Sequence, residues 1–195
     1  METSRMERNF TMVRLRQKGF TLIELMVVIS IAVFLSGLVF ANYKDSQKRY
    51  SLAQAIQRLA FDIRRAQNMA ISGVEIAGVC SKDDPCYGYG IYAESKQGNN
   101  LSYKIFADKD NDQIFKEGFD LVVEVINLPS AVSIEFVSST NGRLHIFFKP
   151  PDPTTYISGG SPGEITLWVT GSLLPAKKVV VSSSGLIEVK VVGEE

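Results

Sequence analysis

From Phe20 to Ala41 the chain reads FTLIELMVVISIAVFLSGLVFA, 22 residues in which Glu24 is the one charged side chain. A helix of that length extends about 33 Å, enough to cross roughly 30 Å of bilayer hydrocarbon. Past Ala41 the apolar residues thin out to every third or fourth position: Leu52, Ala55, Ile56, Leu59, Ile63, Ala66 and Ala70. Lys48, Arg49, Gln54, Gln57, Arg58, Arg64, Arg65 and Gln67 fill the opposite side. That spacing is the amphipathic helical period. No proline interrupts it before Pro85, and Gly73 is a natural stop. One helix over about 20–72 follows, with a transmembrane first part (20–41) and an amphipathic continuation (42–72).

Beyond Gly73 the period shortens to two. Strands are predicted over Tyr87–Ala93, Leu101–Ala107, Leu121–Asn127, Val132–Val137, Arg143–Phe148, Glu164–Thr170, Lys177–Ser182 and Leu186–Val192. Asn141-Gly142 and Ser184-Gly185 read as hairpin turns. The stretch from Pro150 to Gly163 carries four of the seven prolines and reads as a loop. The fold class is α+β: a long N-terminal helix packed on an antiparallel β domain over 73–195, of about seven to eight strands. The apolar helical stripe is the seam against that sheet, and the basic side is a solvated surface.

The flank of the apolar run sets its orientation. Residues 1–19 hold Arg5, Arg8, Arg14, Arg16 and Lys18 against Glu2 and Glu7. The excess of positive charge keeps the N-terminus in the cytoplasm and sends everything after Ala41 across the membrane. A cleaved secretory signal ending at Val39-Phe40-Ala41 would have a core shorter than this run. A plain signal anchor accounts for the length and the flank. Neither accounts for Glu24, since a carboxylate in a membrane helix costs about 2.5–3.5 kcal/mol at the centre.

Lys18-Gly19-Phe20-Thr21-Leu22-Ile23-Glu24-Leu25, leading into an unbroken apolar helix, resembles the class III signal of type IV pilins and type II secretion pseudopilins. The resemblance implies that prepilin peptidase cuts after Gly19, making 1–19 a leader. It also implies that Phe20 is N-methylated and that the helix is retained. Glu24 would then pair with the Phe20 amine of a neighbouring subunit, each charge relieving the other in a low-dielectric bundle. Met12 is an alternative start, leaving a leader of eight residues.

Over the rest of the chain the resemblance narrows to the GspH/FimT family of minor pseudopilins and minor pilins. It is carried by Phe61-Asp62-Ile63-Arg64-Arg65-Ala66-Gln67-Asn68-Met69-Ala70-Ile71, by Phe106-Ala107-Asp108-Lys109-Asp110-Asn111-Asp112 with Glu117-Gly118, and by Ser183-Ser184-Gly185-Leu186-Ile187. The implied partners are other pilins in a helical fibre, prepilin peptidase and an inner-membrane assembly platform. The implied location is the bacterial inner membrane, single-pass, and then the pilus or pseudopilus.

Charge is balanced, with 21 basic and 21 acidic residues. Removing the first 19 residues leaves 16 against 19, which argues against nucleic acid as a partner. The rival readings are a DNA-binding minor pilin for uptake and a signal-anchored extracytoplasmic binding domain.

Two cysteines and one histidine exclude a zinc site built from Cys and His alone. Cys80 and Cys86 lie in the exported part, where a bridge can form across the turn-like 81–85; the alternative is two free thiols. Asp108, Asp110 and Asp112 alternate as calcium-loop carboxylates do, but Gln113 and Phe119 stand where an EF-hand needs glycine and glutamate. A polar turn is the rival reading there. His145 reads as a strand-surface residue and Trp168 as sheet packing. With no nucleophile elbow, phosphate-binding glycine loop or paired-carboxylate motif, the chain reads as a non-enzymatic subunit with no cofactor, calcium apart.

Overall fold

A computed structural model describes residues 19–73, 80, 86–150 and 154–193, without the side chains of 38–44. The leader through residue 18, the turn 81–85, the end of the apolar run at 38–41 as side chains, and the acidic end 194–195 lie outside the described residues. The chain divides into two compact units, Met1–Tyr43 and Lys44–Glu195.

Among the described residues a single helix, α1, runs Leu22–Ser72. Gly73 ends it at φ +57°, a left-handed conformation that glycine adopts without strain, and its amide bonds back to the Ala70 carbonyl at 3.2 Å. Nine strands follow: β1 Gly88–Glu94, β2 Ser102–Asp108, β3 Leu121–Asn127, β4 Val132–Val137, β5 Arg143–Phe148, β6 Thr155–Ile157, β7 Gly163–Val169, β8 Lys177–Val181 and β9 Ile187–Val191. They form two antiparallel sheets, one ordered β3-β2-β1-β5-β6 and one β4-β7-β8-β9.

Two expectations are corrected here. The proline-rich loop contains a short ninth strand, β6, because Thr155–Ile157 falls between the prolines and pairs with Ile146–Phe148. Asn141-Gly142 is a turn but not a hairpin, since β4 and β5 belong to different sheets. Gly142, at φ +67°, helps the chain change sheets there, and its carbonyl accepts the Ser95 amide at 2.9 Å. The β8–β9 connection is the hairpin expected, with Gly185 at φ +81° and its amide bonded to the Ser182 carbonyl.

In the second unit, one core joins the helical stripe to both sheets. Leu52, Ala55, Ile56, Leu59, Ile63, Ala66 and Ala70 are all buried among Ile91, Ile105, Ile146, Ile134, Leu167 and Val179. Ala60 joins them, and so does Asp62, fully buried, whose Oδ2 accepts the Tyr103 hydroxyl at 2.7 Å and Arg58 Nε at 3.1 Å. Burial, then the hydrogen bond to Asp62, raise the Tyr103 phenol well above its ordinary pKa. Asp62 Oδ1 is buried without a partner.

The basic side of the helix is not simply solvated. Arg65 and Arg58 reach Glu124 on β3 at 2.6 and 3.4 Å, while Arg64 and Gln67 donate to the Ile187 and Gly185 carbonyls, each at 3.2 Å. Those side chains tie the helix to an edge strand of one sheet and to the closing hairpin of the other.

At its centre, over β1, β2 and part of β5, the five-stranded sheet is buried on both faces. Tyr103, Ile105 and Ala107 point into the helix-packed core, while Phe106 and Phe147 on the reverse face are covered by Phe115 from the β2–β3 loop. Glycine at position 90 is obligatory on that reverse face, where a Cβ would lie 2.7 Å from the Ile146 carbonyl oxygen and from the Phe106 ring.

Tyr103→Phe should lower unfolding free energy by about 1–3 kcal/mol, because Asp62 loses its hydroxyl donor while staying buried. Ile63→Ala should cost about 2–5 kcal/mol by opening a cavity in the seam. Urea unfolding of the full chain in detergent, followed by tryptophan fluorescence, measures both.

Candidate functional site

The first turn of α1 is built from the residues of the candidate cleavage and assembly signal. Thr21 caps it: its Oγ1 accepts the Glu24 amide at 3.3 Å and its carbonyl accepts the Leu25 amide at 3.2 Å. Glu24 therefore stands at the third helical position of a Thr-x-x-Glu sequence, where the positive end of the helix dipole favours an anion. Gly19 and Phe20 precede the helix, and Phe20 is 83% exposed. A peptide bond at that position is open to a protease.

Behind the cap lies an uncovered apolar surface. Twelve large hydrophobic residues between Phe20 and Leu35 are exposed, among them Ile23, Met26, Ile29, Val33 and Phe34. Burying each would be worth about 1.5–3 kcal/mol, so an apolar surrounding would stabilise this surface. The two serines in the stretch turn inward on the helix itself, Ser30 Oγ donating to the Met26 carbonyl at 2.8 Å and Ser36 Oγ to the Ala32 carbonyl at 2.7 Å. Neither serine hydroxyl is left for a non-polar neighbour to satisfy. Among the described residues no helix is long and apolar enough to cross a membrane. The described apolar side chains stop at Gly37, short of Ala41.

Cys80 and Cys86 form a disulfide with S–S 2.09 Å just ahead of β1. Cys80 is buried, and its sulfur lies 3.2 Å from the Tyr89 hydroxyl.

The acidic loop is organised by its own carboxylates. Asp108 is fully buried and accepts the amides of Asp110, Asn111 and Gln113 at 3.0, 2.7 and 3.0 Å. Asp120 accepts those of Lys109 and Lys116 at 3.0 and 2.7 Å. Asn111 and Gln113 take left-handed φ values of 61° and 69° to fit this arrangement. Burial raises the Asp108 pKa despite those amides.

The carboxylates that come together are Asp108, Asp110 and Asp120, each offering an oxygen within 4.8 Å of the others. Asp112 instead faces Lys116, whose Nζ also meets Asp110 at 2.7 Å. Every oxygen of the three clustered carboxylates already accepts a hydrogen bond, and the ammonium supplies the cation. A calcium ion at Asp110 would compete with the Lys116 ammonium.

What this loop does is seat Phe115 over the sheet. Its ring lies 5.0 Å from Tyr92 and 5.4 Å from Phe106, with Lys104 Nζ 5.0 Å above it. The Phe115 amide donates to His145 Nδ1 at 2.9 Å. His145 is thus 7% exposed, not a surface residue of the strand, because the loop folds back over β5. Burial lowers its pKa to about 4. Trp168 is half-buried, outside the core to which Leu167 and Val169 on either side belong. Glu94, also buried, accepts Arg143 Nε at 3.1 Å and the Tyr92 hydroxyl and Asn99 amide at 3.0 Å. Burial pushes Glu94 up, but those three donors outweigh it and hold the carboxyl below its usual range. The buried polar groups of this face escaped the sequence reading, since alternation assigns Glu94 and His145 to a face without showing what covers it.

Residues 14–40 match the family described as the prokaryotic N-terminal methylation motif. Two fimbrial proteins of Pseudomonas aeruginosa are each 32% identical over 75 residues, which is 38% of this chain. The chain spans about half (49%) of the length of these curated relatives. A crystal structure of the type IV minor pilin FimU from P. aeruginosa strain PAO1 aligns with a TM-score of 0.47 and 12% identity, over 73% of this chain and 90% of that one.

His145 is the sole histidine, so its ring resonance reports without overlap. Its NMR titration should show a pKa near 4, and a value near 6.5 would mean that Phe115 does not seat on it. The unfolded chain takes up this proton below about pH 6.5 and the folded chain only near 4, so stability falls as the pH drops through that window. The loss should be about 1–3 kcal/mol in the wild type and smaller in His145→Gln.

Proposed function

We propose that this chain, which carries the N-terminal methylation motif of type IV pilins, is a minor pilin or pseudopilin. It acts as a structural subunit of a type IV pilus or type II secretion pseudopilus. The observation that carries the reading is the coincidence of that motif with a capped helix start and an apolar surface exposed among the described residues. The similarity to fimbrial proteins over 75 residues also supports it.

On this reading prepilin peptidase cuts between Gly19 and Phe20 and the new amine of Phe20 is methylated. The apolar helix waits in the inner membrane with its N-terminus in the cytoplasm. It then leaves lipid for a bundle of like helices, exchanging one apolar surrounding for another. Lipid and bundle are equally apolar, so the helix needs an additional interaction to set its register, and the Glu24 carboxylate meeting a neighbour's amine supplies one. The ion pair is strong where it forms because water is absent, and an unpaired Glu24 is costly for the same reason. The β domain, closed by its own core, rides outside the bundle. Nothing in this role requires an active site.

The mature protein should have the mass of 176 residues beginning at Phe20, plus one methyl group. A signal-anchored protein would keep Met1 or Met12, and a secreted one would begin near Asn42. Glu24→Gln should still be cleaved yet enter filaments at least about tenfold less, the effect of about 1.4 kcal/mol. Wild-type incorporation of that variant, or an uncut leader, overturns the proposal.

A further inference from the structure

The reverse face of the five-stranded sheet carries a second feature that assembly does not use. Beside the Phe115 loop, over β5 and β6, lies an open cleft of about 660 Å³. Its polar lining includes Lys96, Asn141, Arg143, His145, Tyr156 and Ser158, and no aspartate or glutamate.

Each of these groups is left able to donate. Lys96 makes no ion pair among the described residues, whereas Lys104, Lys116, Lys178 and Lys190 all do. Arg143 spends its Nε on Glu94, leaving both Nη groups of the fork. Ser158 Oγ accepts the His145 amide at 3.0 Å, so its hydroxyl proton is free. His145 is the most constrained. Its Nδ1 lone pair is taken by the Phe115 amide, which places the ring proton on Nε2. No described residue accepts that proton, although the residue is only 7% exposed and lines the cleft. With its pKa lowered to about 4, the imidazole is a neutral donor at ordinary pH and cannot become an acceptor at Nε2. The nearest acids are spoken for: Asp112 faces Lys116, and Glu94 is held by Arg143, Tyr92 and Asn99.

A pocket that offers several donors and two cations, with no carboxylate of its own, complements an anionic oxygen ligand. We propose that this cleft is an oxyanion site, taking a carboxylate or phosphoryl group between Lys96, the Arg143 fork, His145 Nε2 and the Ser158 hydroxyl. This goes beyond the assembly role and does not depend on it, because none of these residues lies on α1.

The test uses the full chain in neutral detergent micelles, titrated with inorganic phosphate and separately with citrate, against chloride at matched ionic strength. Phosphate or citrate should shift the His145 ring and Ser158 amide resonances saturably, with Kd below about 10 mM. The stronger of the two arms identifies the phosphoryl or carboxylate source. Lys96→Gln, at an exposed position, should weaken binding about threefold. Arg143→Lys, which keeps a cation beside Glu94 but removes the fork, should weaken it further. Unchanged His145 shifts in the ligand-free variants show that they have folded. Non-saturating shifts equal to those in chloride, or affinity unaltered in both variants, overturn the proposal.

Discussion

The seam along the second half of α1 is the constraint on which the β domain depends. Two antiparallel sheets, each with an apolar face, meet the same helical stripe, and Ile56, Leu59 and Ile63 have no exposed surface at all. Within that stripe Asp62 is a polar group that the packing tolerates because Tyr103 and Arg58 both donate to it. A buried carboxylate is expensive wherever its donors are misplaced, so it fixes the rotation of the helix against β2 in a way that apolar contacts alone would not. The arginines on the flank, reaching Glu124 on one sheet and the Ile187 carbonyl on the other, act in the same sense from outside.

The first half of the helix obeys the opposite rule. Its large apolar residues from Phe20 to Leu35 are exposed, its serines are satisfied by their own backbone, and its one acid sits in the first turn. Such a surface favours an apolar surrounding over water. One continuous helix thus carries an inward-facing seam for the core of the second unit and, before it, an exposed apolar surface, and the hydrophobic period changes between them.

The reverse face of the five-stranded sheet shows how a loop of poor intrinsic order becomes a lid. Carboxylates of Asp108 and Asp120 collect five backbone amides, Lys116 neutralises Asp110 and Asp112, and Phe115 is thereby held against Tyr92, Phe106 and His145. The acidic spacing that suggested a metal serves as a scaffold of amide acceptors, with Asp120, eight residues beyond Asp112, completing the cluster.

Local chemistry was readable from the chain alone. The helix limits, eight of the nine strands and the Ser184-Gly185 hairpin follow from period and turn residues, which act within a few residues. Partnership was not readable. Alternation says which side chains share a face but not which strand lies alongside, so the passage of β4 and β5 into different sheets and the recruitment of β6 emerged only in the folded chain. The same holds for burial. His145 and Glu94 carry no mark of being covered, because what covers or satisfies them comes from a loop 30 residues distant in one case and a strand 49 residues away in the other, brought near by packing that no short-range preference encodes.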